Sequence, residues 1–550
     1  MGTCCSNQAS PDAFEIESVP VEGLRRLTAN ESEVIVDAST IAEFAARLWP
    51  VLSKLTEGIF VNEVIPKVNK KLPGMFNISL RSFSIGANPP MFGQMRIIET
   101  EGVTSAEQTS DRLRTILPFI WDSQAQVDAV VAGFHVGVQK IQIKAEILVD
   151  WGPILDQYPI LSGVGITMPD PPTIDFDLTG VASIAELPPV RSAIFNAIDS
   201  GIAGAMVLPN RIGIPAGRER GVKPWVVTGP PPIGLLKVKV ISAKNLPNED
   251  LTGQSDPFVE VRVGYLGKVF KSKVVDSSLN PVWNEMTHAY PVYTLFQKVH
   301  AFVSDSDFWT PADAIGGLKD MYIHDILHLR GPQEFDIYKK DGTKVENAKL
   351  TLAFEWRELK LSEPSEVKMA RESSLKEGPT EFPHVISVLI DKVIGKPELQ
   401  EGFKVGCEIS LNDDEAFQFE SSYAKKEESY TDQFIYKRVL QKLDEKKIPI
   451  AQQAEITGLT KEQIEEFRKG SKVHVVPEFD IGSQNHAVLS LAEIQSKSLK
   501  LSLTQGGNVI DTVELPLAKQ IAEDEGQPTP VSLKGDNQIW CRITMRTPVK

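Results

Sequence analysis

Two clusters of aspartate, each placed directly behind a strand-like run, constrain this chain more than any other feature. Asp250 and Asp256 stand in Leu246-Pro-Asn-Glu-Asp-Leu-Thr-Gly-Gln-Ser-Asp-Pro257, and Asp305, Asp307 and Asp313 in Ser304-Asp-Ser-Asp-Phe-Trp-Thr-Pro-Ala-Asp313. Carboxylates this dense repel one another unless a hard cation neutralises them, and Ca2+ takes about six to eight oxygens at roughly 2.3–2.6 Å from flexible loops. A fold that sets the two loops side by side therefore makes a calcium cup. A fold that separates them leaves two solvated turns, for which Asp, Asn, Gly and Pro are equally suited. Leu251, Phe308 and Trp309 lie inside these loops, and large apolar side chains held out in an acidic loop mark an interaction surface. Docking on a membrane is the expected use.

The flanking sequence supplies the fold. Leu236, Val238 and Val240 alternate with Lys237 and Lys239, and Leu350, Leu352, Phe354 and Trp356 alternate with smaller or polar residues; many short alternating strands indicate an antiparallel sandwich. Ser255-Asp-Pro-Phe-Val-Glu-Val261, Leu279-Asn-Pro-Val-Trp-Asn-Glu285 and the spacing of Asp305, Asp307 and Asp313 make residues 232–358 resemble a C2 domain, the phospholipid-binding module of synaptotagmins and protein kinase C. The resemblance implies that Asp250, Asp256, Asp305, Asp307 and Asp313 ligate Ca2+, about two to three ions in such a site, and that the loaded loops attract anionic phospholipid membranes. Lys268, Lys271 and Lys273 alternate near the fourth strand and read either as an anionic-lipid face or as an edge-strand lysine row that blocks aggregation.

Upstream, Ile41, Phe44, Ala45, Leu48, Val51, Leu52 and Leu55 recur at helical spacing behind Ser39-Thr40, with Glu43 completing a capping box. Strand-like runs follow at Phe76–Leu80, Ile141–Lys144 and Ile174–Leu178, then a helix-like run from about Val190 to Val207, an α+β pattern. Phe44 to Pro66 with Trp49-Pro50, Val138-Gln-Lys-Ile-Gln-Ile143, Thr179-Gly180 and Leu208-Pro-Asn-Arg-Ile-Gly-Ile-Pro215 resemble the synaptotagmin-like mitochondrial-lipid-binding domain over residues 38–217. That domain followed by a C2 domain is similar to the extended synaptotagmins and tricalbins. The resemblance implies a half-barrel of the tubular lipid-binding type that carries a glycerolipid and pairs end to end as a homodimer. Ile141, Ile143, Ile147, Phe176 and Leu178 are then candidates for the lipid groove, although a sheet with one wet face gives the same alternation.

The chain begins Met1-Gly2-Thr3-Cys4-Cys5-Ser6. Gly2 with Ser6 fits N-myristoylation and the adjoining Cys4 and Cys5 invite palmitoylation; one acyl chain binds marginally, whereas two anchor stably. An unmodified flexible tail is the other reading of residues 1–37. Family members carry a membrane hairpin that this sequence lacks, so acylation is expected to replace it. Of four cysteines in 550 residues, the remaining pair, Cys407 and Cys541, has no zinc or disulfide spacing, which fits a cytosolic face. A formal charge of −15 opposes nucleic-acid binding and spontaneous adsorption to anionic lipid.

Residues 218–231 read as a linker, 359–383 as a charged linker, and 384–548 as a second, degenerate C2-like β-sandwich with a helical insertion at 431–469 and without calcium ligands. His135 and His384 read as structural, and no nucleophile elbow, phosphate loop or kinase signature occurs, so no enzymatic activity is expected. The expected function is a calcium-regulated lipid-transfer and tethering protein, peripheral and lipid-anchored at a plasma-membrane or endoplasmic-reticulum contact site. The alternative is a calcium-dependent membrane scaffold that transfers nothing.

Overall fold

The computed structural model describes residues 25–28, 31–36, 39–59, 78–100, 112–131, 134–153, 161–180, 202–216, 229–248, 254–306, 313–319, 321–339, 341–372, 382–395, 402–412, 415–420, 425–426, 443–444, 447–457, 464–465, 478–522, 528–534 and 537–549, with a few single positions between them. Gly2, Cys4, Cys5, Asp250, Leu251, Asp307, Phe308 and Trp309 lie outside these residues, as does most of the insertion expected at 431–469.

The first domain is one antiparallel sheet with a helix against it. Its strands are β1 (Arg25–Thr28), β2 (Glu31–Val36), β3 (Ile78–Ser84), β4 (Met91–Phe92), β5 (Met95–Thr100), β6 (Arg112–Asp122), β7 (Gln126–Val131), β8 (Phe134–Pro153), β9 (Gly163–Thr167), β10 (Thr173–Gly180) and β11 (Ile212–Pro215), and its helix is α1 (Ser39–Ile59). The order is β1-β2-β5-β6-β8-β7-β3, with β9 and β10 also pairing β8; residues 25–28 and 31–36, expected within a flexible tail, thus belong to the sheet, where β2 pairs with β5. Strand β8 is 20 residues long and is the spine of the domain. The helix expected from Ser39 onward forms, and Trp49 fixes its inward side: the indole stacks edge-on against Trp121 with ring centroids 5.4 Å apart and donates Nε1–H to the Gly86 carbonyl at 3.1 Å.

Leu208-Pro-Asn-Arg211 closes the domain by hydrogen bonding. Asn210 donates its amide to the Ala203 carbonyl at 3.1 Å, and the Thr167 hydroxyl lies 2.9 and 2.7 Å from the Met206 and Asn210 carbonyls. Arg211 then reaches Asp150 on β8 at 3.3 Å, where Arg114 of β6 also approaches at 3.8 Å; the three side chains are 3, 4 and 9 % exposed. Removing one member of a buried ion cluster strands the rest, so Asp150→Ala is expected to cost about 3–5 kcal/mol, read from the urea midpoint of the full chain.

The second module is an antiparallel sandwich of β12 (Gly234–Lys244), β13 (Pro257–Val263), β14 (Phe270–Lys271), β15 (Val282–Met286), β16 (Tyr290–Val292), β17 (Lys298–Asp305), β18 (Asp313–Gly317), β19 (Met321–Tyr322), β20 (Gln333–Tyr338) and β21 (Lys344–Leu361). Leu236, Val238 and Val240 point into the core with Leu350 and Leu352 of β21, as their alternation requires, and meet Val259, Val261, Trp283 and Val303 there. Trp283 and Tyr290 are fully buried and keep their polar atoms bonded, to the Pro257 carbonyl at 3.3 Å and the Val261 carbonyl at 2.7 Å.

The third module has two facing sheets. One contains β23 (Phe403–Asn412), β24 (Glu415–Glu420), β27 (Ser498–Gln505) and β28 (Asn508–Pro516); the other joins β22 (His384–Ile394), β25 (Lys425–Lys426), β26 (Glu478–Leu489), β29 (Thr529–Ser532) and β30 (Gln538–Pro548). Leu499, Leu501 and Leu503 pack there against Ile386, Val388 and Ile543. Cys407 and Cys541 are free thiols in this core; burial raises both pKa values, that of Cys541 to about 12, which leaves them unreactive at neutral pH.

The stretch 359–383 departs from its reading as a charged linker. It contains the helix Pro364–Glu372, whose Val367 and Ala370 are buried in the core of the third module. Two small apolar residues three apart among charges carry a helix stripe too narrow to stand out in the sequence. Of the expected insertion, Ile450–Thr457 is helical.

Candidate functional site: a carboxylate cup and an apolar sheet face

Strand β17 decides where the carboxylates go. Its burial alternates, with Val299, Ala301 and Val303 on the core side, and Asp305 falls on that same side at the strand end with 2 % exposure. Packing calls for an apolar residue at such a position, and an ionised carboxylate there is costly unless something compensates it. The register sets Asp305 opposite Asp313 of β18 and, on the other side, opposite Pro257 at the start of β13, one residue beyond Asp256.

Asp256 donates its backbone N–H to Asp305 Oδ1 at 2.6 Å, and its own Oδ1 accepts from Ser277 N–H at 2.7 Å. Among the described residues neither carboxylate has an ion-pair partner. Three of the five aspartates, from both clusters, thus converge on one end of the sandwich; Asp250 and Asp307 belong to the segments outside the described residues. Two carboxylates, Asp256 and Asp305, linked at one strand end without a protein cation suit a hard divalent ion. Asp256 and Asp305 would hold it; Asp313 is placed opposite Asp305 by strand register, and among the described residues no third candidate ligand joins them.

Lys268, Lys271 and Lys273 are exposed on the same module. Lys271 Nζ lies 3.7 Å from the centre of the Phe258 ring, and Lys273 lies 4.0 Å from Glu285.

In the first domain, regular pairing between β6 and β8 sorts the side chains of residues 143–150 onto two faces. Leu117 pairs with Ile147, Phe119 with Ala145 and Trp121 with Ile143, so these six share a face. Ile141 falls on it by alternation. Strand β10 brings Ile174 opposite Ile143 and Leu178 opposite Val138, and Phe176 between them is buried. Because Trp121 is the partner of Trp49, α1 lies over this same face. Ile141, Ile143 and Ile147 are half-buried, unlike residues sealed in a core. The contribution of Leu117, Phe119 and Trp121 was not apparent from the sequence, since the run Ile116-Leu-Pro-Phe-Ile-Trp121 is apolar on both faces and loses its period.

Comparison with known proteins follows this division. Residues 37–217 match the synaptotagmin-like mitochondrial-lipid-binding domain, and residues 234–320 match the C2 domain. The chain is extended-synaptotagmin-like. It is 26 % identical to human extended synaptotagmin-3 over 320 residues, which is 57 % of this chain and 34 % of that protein, and 26 % identical to mouse extended synaptotagmin-1 over 276 residues, 49 % of this chain and 24 % of that one. The chain therefore spans about a third or less of the length of these relatives. A solved structure of the lipid-binding and two C2 domains of extended synaptotagmin 2 superposes with a TM-score of 0.54 at 17 % identity, covering 93 % of this chain and 99 % of that one. The fold is accordingly an α+β lipid-binding half-barrel followed by two β-sandwiches of C2 type, the second lacking the Ser-Asp-Pro and Asp-x-Asp patterns of the first.

Proposed function

We propose that this protein is a non-enzymatic, calcium-regulated membrane tether that carries a glycerolipid on the apolar sheet face of its first domain. What carries the reading is the union in one chain of a lipid-binding domain whose apolar face is incompletely buried and a C2 sandwich whose strand ends gather carboxylates from two clusters. Without calcium the cup repels anionic headgroups. With about two to three ions bound, the local field reverses, coordination positions remain for phosphate oxygens, and Leu251, Phe308 and Trp309 enter the headgroup boundary. Burial there contributes about 1.5–3 kcal/mol for each large apolar side chain.

Among the described residues no helix is long and apolar enough to cross a membrane, and acylation at Gly2, Cys4 and Cys5 is assigned as an anchor on the cytoplasmic face of a plasma-membrane or endoplasmic-reticulum contact. Phe44, Leu48 and Val51 form an exposed stripe on α1, 63, 52 and 69 % accessible, on the side turned away from Trp49. We assign it to pairing with a second copy; Phe44→Glu with Leu48→Glu is expected to give a monomer by sedimentation, and an unchanged mass rejects the assignment.

The deciding experiment is lipid transfer between donor and acceptor vesicles by the full chain, with and without micromolar Ca2+. Calcium-stimulated transfer is expected. Calcium-dependent binding with no transfer overturns the lipid-carrier reading and leaves a scaffold.

A further inference from the structure

The lipid-binding domain and the C2 module meet over a surface that neither uses for its own site. Arg96, Ile116 and Leu148 are consecutive cross-strand partners on β5, β6 and β8 and so form one row. Phe296 of the C2 module packs on this row with Ile116 and Leu148, all three 2 % exposed or less. The Arg96 guanidinium lies 4.7 Å from the Phe296 ring centre and 5.2 Å from that of Tyr322.

Charged groups surround this apolar centre. Lys298 Nζ is 3.1 Å from Glu146 and 3.4 Å from Asp170, His300 Nε2 is 2.9 Å from Asp170, and the Tyr322 hydroxyl donates to Glu146 at 2.5 Å. Desolvation on its own would raise the pKa of Asp170, yet the hydrogen bond and charge of His300, with those of Lys298, hold it below the ordinary carboxylate value. That contribution is fully present above the unfolded pKa of about 3.9 and is lost as pH falls through the lower folded value, so it persists at neutral pH. A buried aromatic anchor ringed by matched charges is how specific interfaces are built; a contact of mere proximity leaves its charges in water.

Two directions give the contact a consequence. On β8, Glu146 and Leu148 face the C2 module, so Ile143 and Ile147 face the other way and the apolar side is not covered by it. On β17, Lys298 begins the strand at the contact and Asp305 ends it at the cup, about 23 Å away at the rise of a β-strand. We propose that this contact is a rigid coupling which fixes the direction of the lipid-bearing face relative to the calcium-loop end of the C2 module. The two then move as one body, and docking of the C2 loops sets where the lipid face points. The coupling is independent of the proposed function; only its use in transfer rests on that reading.

The test is a distance distribution between spin labels on the full chain. Cysteines introduced at the exposed Asp175 and Asp341 carry the labels; Cys4 and Cys5 are replaced by serine, and the buried Cys407 and Cys541 stay. One narrow distribution is expected, broadening several-fold in Glu146→Lys, which sets a lysine against Lys298, and in Arg96→Glu, which removes the cation from both rings. A broad distribution in the parent overturns the coupling, and a narrow one unchanged in both variants overturns its assignment to these residues. Calcium-dependent vesicle binding, measured separately, stays intact in both variants. If the parent shows no such binding but keeps a narrow distribution, the calcium reading fails and the coupling stands.

Discussion

Replacing Asp305 and Asp307 together by asparagine is expected to abolish calcium-driven binding to vesicles that contain anionic phospholipid. Asparagine preserves the shape and an acceptor oxygen, so the Asp256 N–H that now donates to Asp305 Oδ1 keeps a partner and the strand end is undisturbed. What is lost is charge. Interactions with a charged group are worth about 1.5–3 kcal/mol each, and two of them correspond to roughly a hundredfold or more in calcium affinity. The sign of the stability change separates this from misfolding. In chelator, the variant melts at or above the parent, because the repulsion between Asp305 and the neighbouring carboxylates is relieved. In excess calcium the parent gains stability by mass action and the variant does not. A variant that melts lower in both conditions is misfolded, and one that still binds vesicles with calcium removes Asp305 and Asp307 from the site.

Ile143→Glu with Ile147→Glu is expected to empty the first domain of lipid. Both positions are half-buried and face the side shared with Leu117 and Trp121, while Glu146 and Leu148 on the opposite face are untouched. An acyl chain is retained by burial worth about 0.8 kcal/mol per methylene, and two carboxylates on the carrying face either lose their own hydration or keep water where the chain would lie. Extraction and mass spectrometry of the purified chain is the direct readout: glycerolipid in the parent and none above background in the variant, with calcium-dependent vesicle binding retained. Equal lipid in both places the carried chain elsewhere.

What the sequence disclosed and what it hid follow from the same physics. Strands of the C2 module were legible because one face is core and the other polar, so Leu236, Val238 and Val240 show their period directly. The aspartates were legible because two dense carboxylate clusters behind strand-like runs repel one another unless a hard cation neutralises them. Glu146, Asp170, Lys298 and His300 were not, since a charged residue on a strand looks the same whether it faces water or a neighbouring domain, and their partners lie more than a hundred positions away. The helix Pro364–Glu372 was hidden by its composition: its mean hydropathy is that of a linker, and among the described residues Val367 and Ala370 carry its packing. Asp150 was silent for a third reason, because its significance depends on two arginines contributed by distant segments.

Acting as the tether proposed above, the chain would be loaded mechanically, and β17 determines how it would bear the load. Its two ends hold the interdomain Lys298 and Asp305, and it lies between β13 and β18, bonded to both. Tension carried through the Lys298 contact to a docked calcium-loop end would run along this strand rather than across it. The ladder of hydrogen bonds on each side is then pulled in shear, so that many must break at once, instead of being peeled open one after another. The geometry favours a connection that stays folded under sustained pull and yields first at the ion-paired contact around Lys298, where the lipid-binding domain can part from the C2 module before either unfolds.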